Sequence, residues 1–271
     1  MTATSLELFF IDGKPDGMLT AEVFGWTGHL LVAPRTRLAE ALKRKESSYT
    51  GVYILLGDVD GDSIAYVGEG ENVANRIKSH DANKDWWTKV IFITSAANNL
   101  HKAHVQYLEA KLIQIGLAAA NTRFENGNNP SIPSLSEAAR ANMENFIEQL
   151  LMVLPALRVD IFSSKVMPEP PLNSSEDAES VARPIFELTL KKEGISATAI
   201  LDNGEFVVQK GSMARASWIG DTTDKTSYWK LYNNLVDKGV LVYRDDHRVF
   251  AKSYAFSSTS AAGAICNGRS T

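Results

Sequence analysis

The sequence predicts a mixed α/β (α+β) fold, and three stretches carry that expectation. Residues 51–80, GVYILLGDVDGDSIAYVGEGENVANRIKSH, hold two short apolar runs around a Gly/Asp turn and then a helical pattern. Residues 89–120 hold a short β-branched run followed by a long stretch with apolar residues at helical spacing. Past the polar segment PEPPLNSSEDAES, short strand-like runs and helices resume. A chain of 271 residues accommodates two modest domains, or one domain with elaborations.

Composition narrows the setting. With 44% apolar and 22% charged residues, the chain reads as an ordinary globular protein. A formal charge of -4 argues against a generally basic nucleic-acid binder, so any DNA or RNA contact must come from a local patch. One cysteine, Cys266, excludes an internal disulfide and a thiolate metal cluster, and it suits a reducing compartment. The N-terminal MTATSLELFFIDG has no basic region ahead of its apolar run, so no signal peptide is expected. No apolar stretch reaches membrane-spanning length, and the expected setting is cytoplasmic, with no membrane partner.

In chain order, Leu6 to Ile11 alternate weakly and meet a turn at Asp12–Gly17. Phe24 to Val32 read as a short strand or an ordered loop. From Pro34 the pattern is helical, with Leu38, Ala41 and Leu42 among Arg35, Arg37, Lys43, Arg44 and Lys45. That basic cluster reads either as a solvated helix face or as a contact to a nucleic-acid backbone. The runs Gly51–Leu56 and Ile64–Val67 form the expected hairpin, and Glu71-Asn72 open the helix that carries Val73 and Ile77. Lys89 to Thr94 make a third strand. Leu100 to Ala120 make a helix with Asn98-Asn99 as cap candidates and Leu100, Val105, Leu108, Leu112 and Ile115 on its apolar side. Residues Phe124 to Ser134 read as loop, and a helix from Ser136 runs to about Leu154, where Pro155 is expected to stop it.

Residues 163–184 are the expected linker, because they offer almost nothing to bury. Four regions follow: an N-terminal extension over 1–48, a domain over 49–162, the linker, and an accessory domain over 185–271. In the last, Ile185–Leu190, Thr198–Leu201 and Glu205–Val208 read as strands, with Asp202-Asn203-Gly204 as a hairpin turn. Tyr228–Lys238 is helical, Val240–Tyr243 and His247–Phe250 are strand-like, and Ser257–Cys266 is a small-residue helix. From Lys191 to Thr271 there are eleven Lys/Arg against eight Asp/Glu, a net of +3.

The residues with chemistry to offer gather in the first of the three stretches and just beyond it. Gly51-Val52-Tyr53, then Tyr66-Val67-Gly68, then Arg76 and His80, then Glu109 and Asn121 stand in an ordered set that resembles the GIY-YIG nuclease superfamily over residues 50–125. Singly, each has a plain reading: the tyrosines as packing, Arg76 and His80 as one solvated helix face, Glu109 as a helix carboxylate. The resemblance implies a three-stranded antiparallel sheet flanked by helices and a site that hydrolyses a phosphodiester with one divalent cation. It implies Glu109 as the protein ligand of Mg²⁺ or Mn²⁺, with phosphate oxygens and waters completing the shell. It implies that Tyr53 activates or orients the water, Tyr66 orients water or phosphate, and Arg76 neutralises the scissile phosphate. His80 would assist proton transfer, and Asn121 would brace the site by hydrogen bonds. Glu69 departs from the pattern, since relatives often carry a non-acidic residue there, and a carboxylate near an incoming phosphate is unfavourable unless it helps hold a cation or faces away.

Elsewhere, His101 and His104 are three apart with Glu109 five further on, which is no HExxH-type metal helix, so surface or supporting roles are expected for them. Ser253 to Ala264 with Gly268-Arg269-Ser270, together with Gly211-Ser212 and Leu235–Leu241, is similar to the DUF4357 domain over about residues 205–271. The expected function is a metal-dependent endonuclease acting on DNA, with RNA kept open, and with the accessory domain positioning nucleic acid or serving as scaffold. The alternatives are a nucleic-acid-binding protein or a protein-interaction module on the same scaffold with little or no cleavage. A homodimer would make double-strand cleavage simple, but no residue specifies one.

Overall fold

The three expected strands lie at the centre of a seven-stranded sheet. The computed structural model describes residues 3–59, 62–119, 121–127, 130–166, 184–202, 204–219 and 227–270, and the chain divides into two units, Met1–Ser163 and Ser164–Thr271. In the first unit the elements are β1 (Leu6–Phe10), β2 (Leu19–Val23), β3 (Gly28–Pro34), α1 (Leu38–Ala41), β4 (Gly51–Val59), β5 (Asp62–Gly70), α2 (Val73–Asn83), β6 (Trp87–Ser95), α3 (Lys102–Ala119), β7 (Arg123–Phe124) and α4 (Glu137–Ala156). The sheet order is β1-β2-β3-β6-β4-β5-β7. The hairpin β4–β5 pairs from Gly51↔Gly70 to Val59↔Asp62, and β6 pairs antiparallel along the other side of β4.

The N-terminal residues extend this sheet. A strand at β6's position has a second edge whose N–H and C=O groups need partners. The β3 strand supplies them over seven residues, from Gly28↔Ser95 to Pro34↔Lys89, and β2 and β1 continue the antiparallel run. Residues 24–27 are therefore turn and 28–34 strand. The strand Leu19–Val23, with Leu19, Ala21 and Val23 buried on one face, went unrecognised because its alternation covers only five residues.

The helix expected from Pro34 is reduced to one turn of 3-10 helix at Arg35–Arg37, the single-turn α1, and another 3-10 turn at Lys45–Ser48. Its arginines have internal partners. Arg35 donates to Asp81 at 2.9 Å and stacks over Trp87 at 4.6 Å, Arg37 reaches Glu40 and Asp12, and Arg44 reaches Glu46. This favours the reading of these arginines as structural rather than as a phosphate contact. Pro155, expected to stop α4, instead lies within its last turn, where the lost N–H interrupts little of the ladder. The expected loop at 124 begins one residue later, because Arg123-Phe124 pair parallel with Ile64-Ala65.

Period-two alternation sorts the side chains onto two covered faces. One face, with Leu30, Val52, Ile54, Val67, Ile91 and Ile93, packs under α3 and α4. The other, with Leu31, Tyr53, Leu55, Val90 and Phe92, packs under α1 and α2 through Leu38, Val73 and Ile77. Burial on both faces explains why the central strands read as nearly continuous apolar runs.

The second unit has β8 (Ile185–Leu190), β9 (Ile195–Asp202), β10 (Glu205–Val208), β11 (Met213–Arg215), α5 (Ser227–Asp237), β12 (Leu241–Arg244), β13 (His247–Phe250), β14 (Tyr254–Phe256) and α6 (Thr259–Asn267). They form a four-stranded sheet, β14-β10-β9-β8, and a three-stranded sheet, β11-β13-β12, around Val208, Tyr232, Leu235, Phe250, Phe256 and Ile265. The β9–β10 hairpin closes at Asp202↔Glu205, while Asn203 of its expected turn, and residues 167–183 of the expected linker, lie outside the described residues. Ser258 caps α6 by accepting from Ala261 N–H at 3.1 Å. No helix of the described residues is long and apolar enough to cross a membrane.

Candidate active site

Tyr53 enters the site from β4, with its ring fully buried on the α2 side of the sheet. Its neighbour across the hairpin is Gly68. A Cβ at position 68 would stand 2.2 Å from the Tyr53 hydroxyl, so the phenol lies across β5 only because that residue has no side chain. Gly70 does the same for α2, since a Cβ there would stand 2.7 Å from Arg76 Cγ. The glycines of β5 thus form a trough for side chains arriving from β4 and α2.

Helix α2 is started by Asn72, whose side chain accepts from Asn75 N–H at 3.1 Å. Val73, Ala74 and Ile77 bury against the sheet, which leaves Arg76 and His80, four residues apart, on one flank. The Tyr53 hydroxyl and His80 Nε2 are 2.8 Å apart. The Tyr66 ring lies 4.9 Å from His80 and 6.2 Å from Tyr53. Lys84, one turn beyond His80, sits over Tyr66 at 4.9 Å and pairs with Glu125.

Electrostatics define the resting protonation. Burial pushes the Tyr53 phenol far above its ordinary value, and nearby Tyr66 adds to this, while the Arg76 guanidinium opposes it by charge and hydrogen bonding. Burial also lowers His80, helped by the charges of Lys84 and Arg76 and opposed by Glu125. Burial thus favours the protonated phenol and the neutral imidazole, the uncharged form of each partner in the Tyr53–His80 hydrogen bond.

Glu109 stands on α3, half-buried. Burial and then the charge of Glu69 raise its carboxyl to about 7, against the pull of Arg76 and Lys102. Arg76 is thus the common neighbour of the tyrosine cluster and the carboxylate. Glu69 leaves β5 on the face of Val67 and Ala65, toward α3, where its Oε1 pairs with Lys102 at 2.6 Å. The charge of Glu69 repels that of Glu109, and Glu69 Oε2 is buried without a hydrogen-bond partner. Among the described residues no group of three or more His, Cys, Asp or Glu converges, so a cation at Glu109 would complete its shell with water and phosphate oxygens.

Of the residues expected at the site, Tyr53, Tyr66 and His80 form one cluster, and Arg76 acts by its charge on both that cluster and Glu109. Asn121 does not join them. Its amide donates to the carbonyls of Asp160 and Ser163, tying the end of α3 to the chain beyond α4. Asn126 instead holds the strand that carries Tyr66: its Oδ1 accepts from Val67 N–H at 3.1 Å and its Nδ2 donates to Val67 C=O at 2.7 Å. Asn126 sits in the Gly/Asn-rich stretch read only as loop. Lys84, Glu125 and Lys102 were also missed. Spacing of four from His80 pointed to Lys84, whereas nothing local pointed to the other two.

The remaining candidates stay outside this site. His101 and His104 stack at 3.5 Å between centroids. Cys266 is buried in the second unit, and burial pushes its thiol up to about 12, which leaves no thiolate for nucleophilic chemistry.

No curated protein and no solved structure matches this chain. In the second unit, residues 188–271 match the family model described as a domain of unknown function, DUF4357.

Proposed function

We propose that the first unit is a metal-dependent endonuclease of GIY-YIG type that hydrolyses phosphodiester bonds in DNA. The observation that carries this reading is the Tyr53–His80 hydrogen bond, set in a cluster with Tyr66 and linked through Arg76 to the half-buried Glu109. Packing alone does not call for a buried phenol hydrogen-bonded to an imidazole beside a guanidinium and a carboxylate with a raised pKa.

Hydrolysis needs a water oxygen to form a bond to phosphorus while a phosphorus–ester oxygen bond breaks. The water must lose a proton, and the leaving alkoxide must gain one. Neutral His80 takes the Tyr53 proton as the phenol oxygen takes one from the attacking water. The pair acts as a two-step acceptor without a free phenolate at rest. Tyr66, held against His80 and Lys84, limits the orientations open to the water. Arg76 offers its planar fork to the phosphate oxygens, where charge builds in the transition state. Glu109 would hold Mg²⁺ or Mn²⁺, which when bound supplies Lewis-acid stabilisation of that charge. The leaving oxygen takes its proton from solvent.

The DUF4357 unit is proposed to position nucleic acid, supported by the mild positive balance from Lys191 to Thr271. The test is an activity panel. Plasmid, single-stranded and branched DNA, and RNA, are incubated with Mg²⁺ or Mn²⁺ and with wild type, Glu109→Ala or Tyr53→Phe. Metal-dependent cleavage lost in both variants supports the reading. Cleavage that persists in both overturns the roles, and binding without cleavage by wild type shifts the reading to a nucleic-acid-binding scaffold.

A further inference from the structure

The turn between β2 and β3 holds two aromatic residues in opposite ways. Phe24 is 93% exposed, and Gly25 follows it at φ +83°, so the turn carries a bare phenyl ring. Trp26 folds back onto the protein. Its ring lies over Gly28, where a Cβ would stand 2.1 Å from it, and its centroid is 5.0 Å from that of Phe146 on α4. Trp26, Met143 and Phe146 help to wall a cleft of about 390 Å³ that His104, Asn142 and Asn145 also line.

Two observations say what the cleft takes. Trp26 Nε1 and His104 Nδ1, from different elements, are both buried without a hydrogen-bond partner, and polar atoms left so are costly. No carboxylate, lysine or arginine lines the cleft, so it is not built for a metal ion or a phosphate. Its chemistry is that of apolar walls with polar groups between them. Asn142 and Asn145 are exposed and three residues apart on α4, so their amides share one face, each with a donor and an acceptor. A flat, uncharged ring with donors and acceptors along its edge satisfies both the walls and the polar groups, and a nucleobase is such a ring.

We propose that this cleft takes one unstacked base of the bound nucleic acid, and that Phe24 stacks on a neighbouring base of the same strand. The proposal rests on the endonuclease reading above and gives it a substrate class, strands with unpaired positions. His104 and Glu109 are five residues apart on α3, about 7.5 Å along its axis, so one helix carries both the base cleft and the candidate cation ligand.

The test is fluorescence anisotropy of the full chain with a labelled oligothymidylate and with an abasic strand of equal length, both phosphorothioate-linked against cleavage and both in Mg²⁺. Wild type is compared with Phe24→Ala, with the double change Asn142→Ala/Asn145→Ala, and with Phe9→Ala. Phe9 is an exposed phenylalanine on β1 and controls for loss of an aromatic surface. Wild type is expected to bind the oligothymidylate about fivefold or more tighter than the abasic strand. Phe24→Ala and the double change should each weaken oligothymidylate binding by about fivefold or more without altering abasic binding, and Phe9→Ala should alter neither. Equal binding of the two strands by wild type, or wild-type affinity for oligothymidylate in both Phe24→Ala and the double change, overturns the proposal. Should the double change fail to fold, Phe24→Ala alone decides, since its side chain is exposed. The endonuclease reading is judged separately, by the metal-dependent activity panel on the same preparation, which no outcome here alters.

Discussion

The Tyr53 hydroxyl and His80 Nε2 share a hydrogen bond of 2.8 Å, although the two residues are 27 positions apart and sit on a strand and a helix. Burial acts on them in opposite senses, raising the phenol and lowering the imidazole, so each partner favours its uncharged form. A bond so arranged can pass a proton toward His80 when the phenol oxygen takes one from a substrate water.

Removing either end of this bond is expected to stop the chemistry without unfolding the chain. Tyr53→Phe and His80→Ala should each lower the cleavage rate by about 10²–10⁴-fold while DNA binding holds, measured by single-turnover cleavage beside a gel-shift titration. Tyr53→Phe at wild-type rate would remove the phenol from the mechanism.

The pH dependence follows from Glu109. Its carboxyl must be ionised to hold a cation, and its raised value places the rise in activity near pH 7. His80, lowered from its ordinary value, is already neutral there and adds no second step. The cleavage rate should climb through about pH 7 and then level, and raising Mn²⁺ should move the midpoint down by competing with the proton. A midpoint indifferent to Mn²⁺ would count against Glu109 as the ligand.

The same shift bears on stability. A carboxyl raised from 4.5 to about 7 in the folded chain contributes stability that is fully present below pH 4.5 and lost as pH rises through about 7. The metal-free protein should therefore be less stable at pH 8 than Glu109→Gln, and the two should converge near pH 4.5. Because Glu109 is only half-buried, solvent screening brings the difference to about 1 kcal/mol, or roughly 2–4 °C in melting temperature. Calorimetry in EDTA reads this directly.

Gly68 and Asn126 test the support of the site. Gly68→Ala places a methyl 2.2 Å from the Tyr53 hydroxyl, and it should abolish cleavage and cost about 1–3 kcal/mol as the phenol is displaced. Asn126→Ala frees both polar groups of Val67 and should cost about 1–3 kcal/mol while slowing cleavage, whereas Asn121→Ala should lower the melting temperature and leave the pH profile of cleavage unchanged. Equal kinetic effects of the two asparagine changes would return Asn121 to the site.

Much of this was legible in the chain itself, because the signals were local. Asp202 and Glu205 close the β9–β10 hairpin, Ser258 caps α6, and Asn72 caps α2, each through contacts within a few residues. The order Tyr53, Tyr66, Arg76, His80, Glu109 could be read because it resembles a family pattern; spacing alone says only that the first four lie on one hairpin and the helix after it. What depended on contacts between distant segments could not be read. The pairing of β3 with β6 over positions 28–34 and 89–95 has no trace in either run alone, and it decides that the first 48 residues build the sheet. Asn121 was named by the resemblance, and only the packing of the following segment beside β5 shows that Asn126 is the asparagine that meets Val67.

The sequence by itself determined the strand and helix content near the site, since periodicity and turn chemistry act over short range, while Tyr53, Tyr66, Arg76, His80 and Glu109 were singled out by resemblance to a known family. Only the tertiary structure decided how they are charged and partnered. The burial that keeps Tyr53 protonated and His80 neutral, and the approach of α3 that sets Lys102 against Glu69 and Glu109 near Arg76, arise from packing between elements. Burial and charge at a site depend on every segment that surrounds it, and no window of sequence contains them all.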